Sequence, residues 1–163
     1  MVLTGSRYRT AAGTGVVAAL ILVLIFGSPV FVDWANRNTD PASGAWDWFL
    51  RLLTWPSWSF DDDVPVRDLV ARDIKAILVV VFTAVFLILL TGSQLARARG
   101  GVSQLLAGWA AYIFAAATAG LLAAIIITNP TPLQSFLWAG AGATYGFFTG
   151  WIIGLAALGG RRP

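Results

Sequence analysis

The chain has 163 residues, of which 58% are hydrophobic and 12% charged; soluble domains carry about a quarter charged residues, so an ordinary water-soluble globule is excluded. It contains no Cys and no His, which removes disulfides, thiol nucleophiles, Cys/His metal sites, imidazole bases and His-ligated haem together. The net charge is +3, but all eight acidic residues fall between Asp33 and Asp73, while Arg7, Arg9, Arg97, Arg99, Arg161 and Arg162 stand outside that interval; the charges mark sides of a membrane and do not form a nucleic-acid patch.

A membrane crossing takes about 20 predominantly apolar residues, and the first such run covers residues 10–32. Arg7 and Arg9 precede it as in a signal peptide. The run is longer than an h-region, however, and "FVDWANRN" offers no small-x-small cleavage site, so it reads as an uncleaved anchor.

Residues 33–75 form a long outward segment containing "AWDWFLRLLTWPSW". Asp40 or Ser43 is placed to cap a short helix. Trp46, Phe49, Leu50 and Leu53 then recur at i, i+3, i+4 and i+7 as one apolar stripe, which Trp48, Leu52 and Trp55 widen and Pro56 ends. Indole rings favour the bilayer surface, being apolar with one polar N–H. Trp34, Trp46, Trp48, Trp55 and Trp58 therefore read as an interfacial belt, with the helix lying along the membrane or against another protein. Contact with a partner or the interface is assigned to Trp46, Trp48, Phe49, Leu50, Leu53, Trp55 and Trp58. Asp61, Asp62 and Asp63 follow. Adjacent carboxylates diverge and no EF-hand spacing or Gly turn accompanies them, so they read as a solvated helix start and not as a Ca²⁺ or Mg²⁺ site; no metal ligand is assigned.

The second run, residues 76–95, continues a helix expected to begin near Val64, with Asp63/Arg67 and Asp68/Arg72 as i,i+4 pairs. The third and fourth runs, 105–127 and 133–158, follow after the short links "ARARGG" and "TNPTP", which make consecutive antiparallel hairpins. The fourth run carries Gly142, Gly146, Gly150 and Gly154. The third carries Ala107, Ala111, Ala115, Ala119 and Ala123 beside a second small row of Gly108, Ala116, Gly120 and Ala124. Helices in lipid gain little from hydrophobic association, so such rows serve close backbone approach, and both are read as helix-packing faces of these two spans against each other. No Asp, Glu, Lys or Arg interrupts any of the runs, so a proton relay is not expected. Thr83, Gln94, Gln104, Tyr112, Thr118, Thr144, Tyr145 and Thr149 remain for interhelical or i−4 backbone bonds.

The Arg pairs lie at the N-terminus, between the second and third spans, and at the C-terminus, places that share one side if there are four spans. Cytoplasmic flanks are Arg-rich. The expected fold is thus an all-α integral membrane protein: four transmembrane helices in a single domain, both termini cytoplasmic, and an outward amphipathic interfacial helix between helices 1 and 2. The bias of ten Arg to one Lys, with no Glu, suggests a bacterial cytoplasmic membrane. The expected function is a non-catalytic accessory or scaffold subunit of a larger inner-membrane complex, contacting partners through the small-residue helix faces and the outward Trp-rich segment. Its partners would be membrane lipids and either other membrane subunits or a second copy, without nucleic acid and without a cofactor. Two further readings are a small homo-oligomeric channel or transporter with an uncharged pore, and a membrane enzyme using the outward aspartates.

Overall fold

The structure, a computed structural model, describes residues 4–58, 66–92, 101–127 and 131–160. Six helices account for its regular elements: α1 (Thr4–Phe26), α2 (Pro29–Asn38), α3 (Ala45–Leu53), α4 (Val66–Gly92), α5 (Gly101–Ile126) and α6 (Pro132–Gly159). Among the described residues there is no strand. Helices α4, α5 and α6 are each long and apolar enough to cross a membrane, and α1 with α2 makes a fourth crossing if this bent pair counts as one.

That pair is the main departure from the continuous first run expected over residues 10–32. The helix stops at Phe26, and α2 leaves at an angle of 58°. The cause is local. Pro29 has no N–H to continue the ladder and its ring obstructs the preceding turn. Ser28 is extended (φ −64°, ψ 146°), and its Oγ accepts from the Phe31 N–H at 3.3 Å as an N-cap. The apolar pattern runs through this "GSP" without pause, which is why periodicity alone reads one helix.

The closest packing is between α5 and α6. A methyl group added at Gly146 would lie 2.7 Å from Ile113 Cα, at Gly150 2.8 Å from Trp109 Cδ1, and at Gly154 2.5 Å from the Leu105 carbonyl oxygen. One added at Gly108 would lie 2.9 Å from Gly154 Cα. The α6 glycines thus meet the α5 strip that holds Gly108, Ala116 and Gly120. The alanine row lies beside that strip: Ala111, Ala115, Ala119 and Ala123 are wholly buried and Ala107 partly so, and α4 is the other helix packed along α5.

Helix α1 closes the ring against α4 and α6. Midway along it, Gly15 faces Leu87, Ile153 and Ala157, and Thr14 Oγ1 donates to the Ala156 carbonyl at 2.8 Å. Gln104, near the start of α5, donates from Nε2 to the Ala157 carbonyl at 3.1 Å. The starts of α1 and α5 and the ends of α4 and α6 therefore share one end of an up-down-up-down bundle. The other end carries α2 and α3. Within the bundle, Tyr112 and Tyr145 are fully buried with their hydroxyls 3.1 Å apart, while Thr83 and Thr149 donate to the carbonyls four residues back.

Burial is inverted relative to a soluble protein. Small residues supply much of the interior, beside Tyr112, Tyr145, Leu87 and Ile153, while Leu20, Ile21 and Leu24 of α1, Ile77 and Ile88 of α4, and Phe136, Leu137 and Trp151 of α6 are exposed. A continuous apolar exterior of this kind exceeds what soluble monomers expose. Lipid is the solvent that removes the penalty, and the chain is a multi-pass helical membrane protein in class.

Candidate functional site

Helices α2 and α3 form a cap on one end of the bundle, and polar bonds hold the two together. The Arg51 guanidinium donates to Thr39 Oγ1 at 3.1 Å, to the Thr39 carbonyl at 3.2 Å, to the Asn36 carbonyl at 3.3 Å and to Asn36 Oδ1. Its planar fork reaches acceptors on both residues at the end of α2. The turn between the helices is ordered by Asp47, three residues into α3. Its Oδ2 accepts from Ser43 Oγ at 2.7 Å and from the Asp40 N–H at 3.1 Å. These bonds, that from Ser43 first and that from Asp40 second, hold the Asp47 carboxyl below the usual carboxylate range. The cap residue of α3 is Gly44, with no side-chain bond to the helix N-terminus; Asp40 and Ser43, expected as caps, engage Asp47 instead. The segment returns to the bundle at Trp58, whose N–H donates to the Gly27 carbonyl at 3.0 Å and whose Nε1 donates to the Val23 carbonyl at 3.2 Å.

Helix α3 shows the bundle a different face from the stripe expected to meet lipid or a partner. Of Trp46, Phe49, Leu50 and Leu53, only Leu53 is buried; Phe49 and Leu50 are intermediate and Trp46 is 69% exposed. The face turned to the bundle is Trp48, Leu52 and Trp55, spaced i, i+4 and i+7. Trp48 sits edge-on to Phe148 of α6, with centroids 4.9 Å apart, and Leu52, Trp55 and Trp58 pack against the core. Apolar residues surround this helix on nearly every side, so spacing left more than one inward face open. The expected belt is accordingly divided: Trp34 and Trp46 are exposed, whereas Trp48, Trp55 and Trp58 are partly enclosed.

Trp55 makes the most specific contact of the cap. Its ring stacks on Tyr145, with centroids 5.2 Å apart and planes 23° apart. Its Cζ2 atom occupies a notch that exists because two positions lack side chains: a methyl group would lie 2.9 Å from it at Gly142 and 3.3 Å at Gly120. Over the ring stands Lys75 Nζ, 4.9 Å from the Trp55 centroid and 5.7 Å from that of Trp138. Lys75 is only 8% exposed. Its charge is met by two indole faces, an attraction worth about 2 kcal/mol when desolvated. Chemically the junction is a clamp: an aromatic wedge from the cap, a glycine notch on the bundle, and a cation over the ring.

Two contacts had no sequence signal beyond residue type. Arg67 donates from Nε to the Ile126 carbonyl at 2.6 Å, placing a cation on the negative end of α5; the expected pairing with Asp63 lies outside the described residues. Lys75 stands at the edge of an apolar run and reads there as a flanking charge. At the opposite end of the bundle, Gln104 Oε1 is buried with no hydrogen-bond partner among the described residues. Asp61, Asp62 and Asp63 lie outside the described residues, among which no group of three carboxylates could hold a metal ion.

These features define a helical, multi-pass membrane protein with a clamped aromatic cap. Comparison with protein-family models, with curated proteins and with solved structures finds no match.

Proposed function

We propose that the chain is a non-catalytic accessory or scaffold subunit of a larger assembly in a bacterial inner membrane. In this reading it crosses the membrane four times, the first time through α1, whose outer end bends at Ser28 into α2 and the outward cap, and both termini lie in the cytoplasm. The three Arg pairs support the orientation. The observation that carries the functional reading is Trp46, 69% exposed on a cap that is otherwise clamped. It stands 6.1 Å from Phe49, centroid to centroid, and α2 adds exposed Val30 and Trp34. Rigid aromatic groups lose little entropy on docking, and Trp is enriched among residues that dominate binding energy. The α6 glycines at 142, 146, 150 and 154 meet α5 or Trp55 within the chain, which favours the cap over the glycine row as the docking surface.

Purification of the tagged full chain in mild detergent tests this reading. Wild type is expected to retain a defined set of other membrane chains. Trp46→Asp, an exposed change, should lose them while melting like wild type, and Leu137→Ala on the exposed face of α6 should keep them. Retention of every partner by Trp46→Asp would refute docking through the cap, and a wild-type chain that runs alone would refute the subunit reading.

A further inference from the structure

The cap, residues 28–57, stands on a single support. The chain leaves α1 at Gly27 and returns at Trp58, and these two residues meet. The Trp58 N–H donates to the Gly27 carbonyl at 3.0 Å, and a methyl group at Gly27 would lie 2.5 Å from the Pro56 carbonyl oxygen. The bond from Trp58 Nε1 to the Val23 carbonyl ties this junction to the last turn of α1. Both ends of the cap are therefore held at one point. Between them, the Arg51 fork joins α3 to the end of α2 and Asp47 orders the intervening turn, so the two helices form one body. The contacts that seat this body on α5 and α6 are aromatic: Trp48 lies against Phe148, and Trp55 lies against Tyr145 and in the notch at Gly120 and Gly142.

We propose that the cap is a flap hinged at Gly27 and Trp58, and that its opening uncovers the Lys75 ammonium. Rotation about a single support is the motion that breaks the fewest bonds, because the hydrogen bonds of the junction and those inside the cap survive it. The seat then parts at ring faces, which separate without leaving a backbone N–H or C=O unpaired. Lys75 favours the opening. When the flap is closed its ammonium lies over two indole faces, 4.9 Å and 5.7 Å from their centroids. Its three N–H donors are matched better by oxygen acceptors, and water supplies these once Trp55 lifts away. Rehydration of the ammonium thus offsets part of the packing lost with the seat. Opening also changes the chemistry of this end of the bundle. It turns an aromatic surface into one that presents the chain's one lysine, a cation that any anionic group reaching it binds in the open state alone and so holds open. The flap does not depend on the subunit reading.

Acylation of Lys75 tests the flap, since the chain has no other lysine. The full chain in lipid nanodiscs is pulsed with a membrane-impermeant succinimidyl ester at fixed pH, and peptide mass spectrometry locates the modified amines. Ala42→Lys, in the exposed turn of the cap, supplies an open amine for reference. Lys75 is expected to react at least about 100-fold more slowly than the amine at position 42, at a rate set by opening. Trp48→Ala should speed its reaction about tenfold. Trp48 touches Phe148 and not Lys75, so that gain reports movement of the cap as one body; Phe148→Leu loosens the same contact if Trp48→Ala fails to fold. Gly154→Ala overpacks α6 on Leu105 at the opposite end of the bundle and weakens the fold as a whole, yet it should leave the rate within about twofold. Gly108→Ala, against Gly154, makes the same comparison if Gly154→Ala fails to fold. Equal acceleration by the bundle and seat variants would show that Lys75 is reached by unfolding of the bundle, and would overturn the proposal. So would a wild-type Lys75 as reactive as position 42, or a rate that loosening the seat leaves unchanged.

Discussion

Lys75 loses most of its hydration where it sits, and the faces of Trp55 and Trp138 return only part of it. Removing a buried charge while keeping its stem is often nearly neutral, because the desolvation cost disappears along with the attraction. Removing the ring beneath it is different. It empties the notch at Gly120 and Gly142 and takes away the nearer of the two π faces. Lys75→Met is therefore expected to cost under about 1 kcal/mol, and Trp55→Ala about 3–5 kcal/mol, measured by denaturant unfolding in detergent. The reverse order would mean that the ammonium and not the packing holds the cap. Asp47 gives a pH test. Its folded pKa is depressed by Ser43 and Asp40, so its contribution is complete above the unfolded value of about 3.9 and is lost as pH falls through the folded value. Amide exchange in the turn around Ser43 should accelerate at that acid end, and Asp47→Asn should exchange fast throughout. Neither cluster was legible residue by residue. Lys75, Trp55 and Trp138 are distant in sequence, and no spacing rule joins them.

Among the elements, α5 and α6 were the most legible. Small residues four apart imply close approach wherever helices meet in lipid, and Gly142, Gly146, Gly150 and Gly154 do lie against another backbone or a ring. Which α5 row they meet was not legible, because the glycine-containing and alanine rows are neighbouring strips of one helix. The structure separates two kinds of glycine on α6. A methyl group at Gly146 would press on the Ile113 backbone, whereas one at Gly140 would meet nothing within 4 Å. Gly146→Ala should lower stability by about 1–3 kcal/mol through overpacking. Gly140→Ala should leave it unchanged or raise it by up to about 1 kcal/mol, since alanine is the better helix former. Equal effects in thermal melts would remove the close-packing account. The break between α1 and α2 was written in "GSP" but masked by the apolar run on both sides; Ser28→Ala should cost about 1 kcal/mol by removing the cap of α2. The orientation of α3 was illegible for the opposite reason, since a helix apolar on most sides has no unique inward face.

For the molecule as a whole, composition pointed to lipid and the runs located the long helices, while the bend and the cap's seat required the structure. The cap and the starts of α1 and α5 lie at opposite ends of the bundle. Cysteines placed at Ser43, in the turn of the cap, and at Val102, exposed at the start of α5, should accordingly differ in reactivity toward an impermeant reagent in intact cells. Labelling is expected at Ser43→Cys alone; labelling of both would refute the four-crossing orientation. The ring of helices also has a consequence for the order in which the protein is made. Helix α1 packs chiefly on α4 and α6, and Gly15 is shaped to receive Leu87, Ile153 and Ala157. On the ribosome α1 emerges well before either neighbour, while α4, α5 and α6 leave in succession and pair as they come. Of the four long helices of this bundle, the one made earliest is thus the last to be enclosed.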